Sequence, residues 1–220
     1  MTHKHSAELD FWIRHWDRCI RHHGDWTPAF WNGFDDTTPE LSESEYKQAR
    51  RDLAVKQLRE VERMAAKPEG YLDRKTVVEI GPGPVGMLEV CDAAVKVAIE
   101  PLADAYREHG LLLPEARGTV YLCKGIEDCG LISNMADIVV ASNCLDHVDD
   151  LEVALREIRR ILRPGGELFL NVEVDHAPTV CEPIVIREKD LGAMFREYDC
   201  THFARVGEDR LWARAVYRLR

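Results

Sequence analysis

The chain has 220 residues, of which 45% are hydrophobic and 31% charged, and its formal net charge is −10. That length suits one α/β domain with an appendage, and the acidic balance counts against a nucleic-acid partner, which needs a basic footprint. No apolar run reaches the roughly 20 residues that span a bilayer and the polar start lacks a signal peptide's apolar stretch, so a cytoplasmic protein free of membrane is expected.

In chain order, the first pattern is helical. Leu9, Trp12, Ile13, Trp16 and Ile20 recur at helix spacing and make one apolar stripe. A loop runs through His23, Gly24 and Trp26 to Pro39. A second helix is predicted to start at Ser42, with Glu45 at the capping-box position, and to stop before Pro68-Glu69-Gly70. Near residue 70 the period changes. Strands are predicted at 76–80, 95–100, 118–122, 137–142 and 167–174, with a helix at 149–162 ended by Arg163-Pro164-Gly165-Gly166. Strand, helix, strand at this spacing means a parallel sheet with helices on both faces. The tail differs: 201–206 and 211–218 read as two directly joined, antiparallel strands. We divide the chain into residues 1–70, a helical cap, and 71–220, an α/β domain.

Chemistry concentrates at Glu79-Ile80-Gly81-Pro82-Gly83-Pro84-Val85-Gly86, a G-x-G-x-x-G run directly after a strand. Glycine permits the sharp turn and the close approach of a ligand. Nucleotide-dependent dehydrogenases use the same loop. Glu100, nineteen residues after Gly81, places a carboxylate where it can accept from ribose hydroxyls, which also leaves both readings open. Three features separate them. Glu79 is awkward beside a pyrophosphate and suits a cationic ligand. Pro82 and Pro84 remove two N–H donors that a phosphate cradle needs. The later order also fits: Gly125-Ile126-Glu127-Asp128, then Ser142-Asn143-Cys144-Leu145-Asp146-His147, then Arg163-Pro164-Gly165-Gly166.

On these motifs, residues 71 to 220 resemble the class I S-adenosylmethionine-dependent methyltransferases. The resemblance implies a Rossmann-like, doubly wound, seven-stranded sheet, mostly parallel with a C-terminal antiparallel hairpin. It implies S-adenosylmethionine as cofactor. Glu79, Gly81 and Gly83 would contact its methionine part, Glu100 and the following Pro101 its ribose, Ile126 and Glu127 its adenine. Ser142 and Asn143 would line the cofactor, with His147 toward the acceptor. One departure is that Gly125 stands where many relatives carry the aspartate that receives the adenine amino group.

His147 is the candidate general base, because a neutral imidazole there can take a hydroxyl proton. A small-molecule acceptor is favoured, with oxygen as the accepting atom. His176 and Glu182, after the fifth strand, and Trp26 and Trp31, in the early loop, are assigned to the acceptor. The seven cysteines form no C-x-x-C pair, and the His22-His23 pair has no third ligand, so no metal is assigned. A nicotinamide-dependent oxidoreductase and a non-catalytic S-adenosylmethionine-binding module remain as alternatives.

Overall fold

The computed structural model describes residues 2–24, 38–112, 118–207 and 211–220. Seven strands form one sheet: β1 (Thr76–Ile80), β2 (Val95–Ile99), β3 (Thr119–Leu122), β4 (Ala136–Ser142), β5 (Leu162–Glu173), β6 (Tyr198–Val206) and β7 (Trp212–Leu219). Their order is β3-β2-β1-β4-β5-β7-β6, with β7 antiparallel to both its neighbours and the rest parallel. This is the doubly wound sheet with an antiparallel hairpin that the sequence implied.

Alternation along the strands divides the core between two faces. Val78, Val139, Leu168 and Leu170 meet Ala154, Ile158 and Ile161 of a helix at Leu151–Ile161. Val77, Ala98, Val140, Phe169 and Val216 meet Leu58, Val61 and Met64 of a helix at Glu43–Met64. That second layer comes from the part of the chain before residue 70. It fills space that crossover helices were expected to fill: between β1 and β2 the described elements include only the single 3₁₀ turn Met87–Glu89.

In chain order the helices are α1 (His3–Phe11), α2 (Arg18–His23), α3 (Glu43–Met64), α4 (Ala103–Glu108), α5 (Leu151–Ile161) and α6 (Leu191–Met194). α3 starts as predicted. The Ser42 side chain accepts from the Glu45 N–H, and the Glu45 carboxylate accepts from the Ser42 N–H at 2.8 Å. The first helix is not uniform. A π-helical segment, Trp12–Asp17, joins α1 to α2, a widened turn of the kind often found at functional sites. β5 begins earlier than expected. Leu162 pairs with Ala136 across a register shift, so Arg163-Pro164-Gly165-Gly166 is absorbed into an irregular strand start. Among the described residues no helix is long and apolar enough to cross a membrane.

Candidate functional site

Register places the site. Ile80 pairs with Ile99 on one side and Ala141 on the other. Gly81, Glu100 and Ser142 therefore leave the sheet along one line at its carboxyl edge, where open α/β sheets bind ligands.

At that edge lies an open recess. Gly81, Glu100, Pro101, Ile126, Glu127 and Asn143 line it, six of the nine residues expected at the cofactor. Gly81 has φ of +60°, and a Cβ there would come within 2.7 Å of the Cys144 Cβ. Only glycine fits this turn. Glu100 is buried, 3% exposed. Its two carboxylate oxygens accept from the N–H groups of Gly83 at 3.0 Å and Leu102 at 2.9 Å. A carboxylate offers about four lone-pair sites, so half remain for a ligand. Burial pushes Glu100 up to about 7, against the pull of those two N–H groups.

The remaining expected cofactor residues sit elsewhere. Glu79 and Ser142 line a second recess, which shares Ile80 and Gly81 with the first and is walled by Asn171, Arg214 and α3. Glu79 accepts from the N–H groups of Met87 and Leu88, both at 3.3 Å, and burial lifts it to about 7. Gly83 lines neither recess. A Cβ on it would meet the Trp12 ring at 3.1 Å, so its bareness accommodates a tryptophan of the first helix. The Glu127 carboxylate is engaged by the Asp149 N–H at 2.7 Å, at the approach to α5.

Sequence position puts α1 in the cap, away from the cofactor motifs, yet its Lys4, His5 and Glu8 line the recess at Glu100. Lys4 donates to the His147 carbonyl at 2.7 Å and pairs with Asp149 at 2.5 Å, latching α1 over the edge. No sequence signal marks this role, because the polar face of α1 reads as a solvent face. Cys144, buried beside Gly81, is a second lining residue without a sequence signal of its own.

The loops after β4 and β5 bring the acceptor candidates together. Around His147, Nδ1 lies 3.9 Å from Glu8, and Nε2 lies 3.9 Å from both Asp146 and Glu182. His176 Nε2 lies 3.5 Å from the other Asp146 oxygen. Burial opposes a charged His147 ring, but Glu8 first, then Asp146 and Glu182, outweigh it and raise its pKa above 6.5. Burial raises the Asp146 carboxyl. Trp26 and Trp31 lie outside the described residues.

A family model described as a methyltransferase domain matches residues 78–170, which run from β1 into β5 and include Glu79, Gly81, Glu100 and His147. Residues 78–170 are therefore a methyltransferase domain, with S-adenosylmethionine as its cofactor. That match sets aside the nicotinamide oxidoreductase and the non-catalytic module. Over 133 residues the chain is 29% identical to the PKS-NRPS hybrid synthetase cheA of Chaetomium globosum, covering 55% of this methyltransferase and 3% of the synthetase. It spans only 1–3% of the length of the curated relatives it matches. Among solved structures, the [4+2]-cyclase SpnF aligns with a TM-score of 0.62 at 18% identity, over 98% of this chain and 94% of the cyclase. The 1,6-didemethyltoxoflavin-N1-methyltransferase of Burkholderia thailandensis, solved with 1,6-didemethyltoxoflavin and S-adenosylhomocysteine, aligns at 0.52 and 16% identity, over 82% and 92%. These two are likenesses of fold.

Proposed function

We propose that this methyltransferase acts on an oxygen of a small molecule and that its cofactor occupies the recess at Glu100. The observation that supports this most is the buried Glu100 carboxylate, with lone pairs to spare, at the wall of a recess it shares with Gly81, Ile126 and Asn143. S-adenosylmethionine supplies the methyl group and, as a sulfonium, the leaving group. The residues of this chain do the rest. Glu100 accepts from ribose hydroxyls, with Pro101 beside it. Ile126 gives adenine an apolar wall, flanked by Glu127. Glu79, Gly81, Gly83, Ser142 and Asn143 surround the methionine part.

His147 faces the acceptor and takes its hydroxyl proton at Nε2, steadied through Nδ1 by Glu8. His176 and Glu182 complete the acceptor side, and Trp26 and Trp31 are assigned there from sequence position. We read residues 1–70 as the cap, with α1 its closing element, and 71–220 as the cofactor-binding domain. The curated relatives are synthetases of polyketide type, which supports a second reading in which the acceptor is a ketide.

Calorimetry with S-adenosylhomocysteine and with NADH tests the cofactor. Tight binding of the first and none of the second is expected, and the reverse would overturn the reading. Radiolabelled methyl transfer to panels of hydroxyl, amine and ketide compounds then tests the acceptor. Label found only in amines would remove oxygen.

A further inference from the structure

Buried polar groups normally have hydrogen-bond partners. At one corner of this molecule several lack them. Both carboxylate oxygens of Asp146, both ring nitrogens of His147 and Nε2 of His176 are buried with no hydrogen-bond partner among the described residues. Asp146 is wholly buried, at 0% exposure. Leaving such groups unpaired is costly, more so if charged, and the Asp146 oxygens, His147 Nε2 and His176 Nε2 lie together, with His147 Nδ1 turned to Glu8.

Their arrangement specifies a common partner. Asp146, His147 and Glu182 each present one ligand atom, all within 4.8 Å of one another. His176 stands outside this group, its Nε2 3.5 Å from the other Asp146 oxygen. Bond lengths of about 2.1 Å from nitrogen and oxygen ligands to zinc put neighbouring tetrahedral ligands about 3.4 Å apart. The separations here are 3.5 and 3.9 Å, too long for hydrogen bonds and slightly wider than a loaded site.

These side chains are also oriented from behind. His176 Nδ1 lies 2.9 Å from the Ala177 carbonyl. A proton on Nδ1 then leaves the Nε2 lone pair facing a carboxylate oxygen, which is repulsive unless a cation lies between. His147 turns Nδ1 to Glu8 and Nε2 to the cluster. An imidazole ligand backed by a carboxylate or carbonyl is the usual outer arrangement of a metal site. Glu182 Oε2 accepts from the Thr179 hydroxyl at 3.2 Å, leaving Oε1 toward His147. The Ile184 N–H donates to the Asp146 carbonyl at 3.2 Å and fixes one loop to the other. Three carboxylates, of Glu8, Asp146 and Glu182, surround two imidazoles, an excess of negative charge that a divalent cation neutralises.

We propose that Asp146, His147 and Glu182 bind one divalent first-row transition cation, of the zinc type, between the loops that follow β4 and β5, with His176 beside the second Asp146 oxygen. Mixed imidazole and carboxylate ligands favour such ions over magnesium or calcium, which take oxygen ligands. The binding depends on these three side chains. Only its catalytic consequence rests on the methyl-transfer reading: with a cation on Nε2, the ion would acidify the acceptor hydroxyl, the proton would leave to solvent, and His147 would be a ligand in place of the base proposed for the metal-free site.

Chelator-stripped full-length protein, titrated with Zn²⁺ by calorimetry and assayed for bound metal by mass spectrometry, should take up one ion per chain. Co²⁺ in its place should give the visible bands of a four- or five-coordinate site. Asp146→Asn and Glu182→Gln should each weaken Zn²⁺ binding at least 10-fold and bleach the cobalt bands. S-adenosylhomocysteine binding, measured on the same samples, should stay within about 2-fold and reports folding and the cofactor reading separately. Glu182→Gln sits on a partly exposed loop and keeps the test open if Asp146→Asn does not fold. Wild-type protein that binds S-adenosylhomocysteine but no Zn²⁺ would overturn the proposal. So would Zn²⁺ binding that survives both changes but is lost in His22→Ala/His23→Ala.

Discussion

The guanidinium of Arg50, on α3, donates to the carbonyl of Pro84, in the glycine loop, at 2.8 Å. The same group reaches the Leu111 carbonyl and, at 3.2 Å, the Tyr46 hydroxyl. Arg50 is wholly buried, so it pins the cofactor loop to the helix that covers the sheet. Arg50→Met should strand these acceptors, at about 1–3 kcal/mol for each one left unsatisfied. Thermal unfolding should show a fall of several degrees, and calorimetry a loss of S-adenosylhomocysteine affinity. An unchanged melting temperature would show that other contacts hold the loop.

Glu100→Ala should weaken S-adenosylhomocysteine binding about 10-fold or more, as expected for losing hydrogen bonds to a charged acceptor worth roughly 1.5–3 kcal/mol. Because burial holds this carboxyl near 7 in the ligand-free protein, and ribose hydroxyls donate to its ionised form, affinity should rise between pH 6 and 8. Glu100→Gln should flatten that rise. A parallel pH dependence in wild type and Glu100→Gln would place the titrating group elsewhere.

Glu79 has a stability signature. Its pKa is about 7 in the folded chain against an ordinary 4.5. The folded state therefore holds this proton more tightly than the unfolded one. The resulting stability is full below pH 4.5 and is lost as pH rises through 7. Differential scanning fluorimetry of ligand-free protein should show the melting temperature declining more steeply over that window in wild type than in Glu79→Gln. Equal slopes would mean the carboxylate is ionised at no cost.

Lys4 latches α1 through the His147 carbonyl and Asp149. Lys4→Ala removes a partly solvated pair worth about 0.2–1 kcal/mol. Stopped-flow measurement should find S-adenosylhomocysteine leaving up to about 5-fold faster, with little change in melting temperature. An unaltered release rate would deny α1 a part in retention.

His147→Asn should leave S-adenosylhomocysteine affinity nearly intact and cut methyl transfer by roughly 10²–10⁴, the range for losing a positioned acid or base. Single-turnover transfer to an acceptor found in the labelled-methyl panel is the measurement. Near wild-type turnover would leave His147 a structural residue.

The sheet was legible because burial imposes a period on each strand and because turns need particular residues. β1 matches its predicted bounds, and α3 starts where Ser42 and Glu45 said it would. The edge residues Gly81 and Glu100 were legible for the same reason, each standing at the end of an apolar run, whereas Ile126 and Asn143 came only through the family resemblance. Contacts between distant segments were not. Lys4 and Glu8 reach the recess because α1 folds over the sheet edge, and nothing local in their sequence distinguishes them. Asp146 and His176 belong to separate loops, so their meeting depends on β4 and β5 being neighbours. β5 began early because pairing with β4 outweighed the turn-forming preference of Pro164 and Gly165.

The helix α3 has a place in time as well as in space. It is synthesised before any strand it covers, yet its Leu58, Val61 and Met64 are buried against Phe169 and Val216, which emerge much later. Until then this apolar stripe has only part of its sheet to lie on. Contacts of such sequence separation close slowly, since loop entropy must be overcome before they form. One face of the molecule therefore has to wait for the last strands, and the glycine loop that Arg50 pins is completed with it.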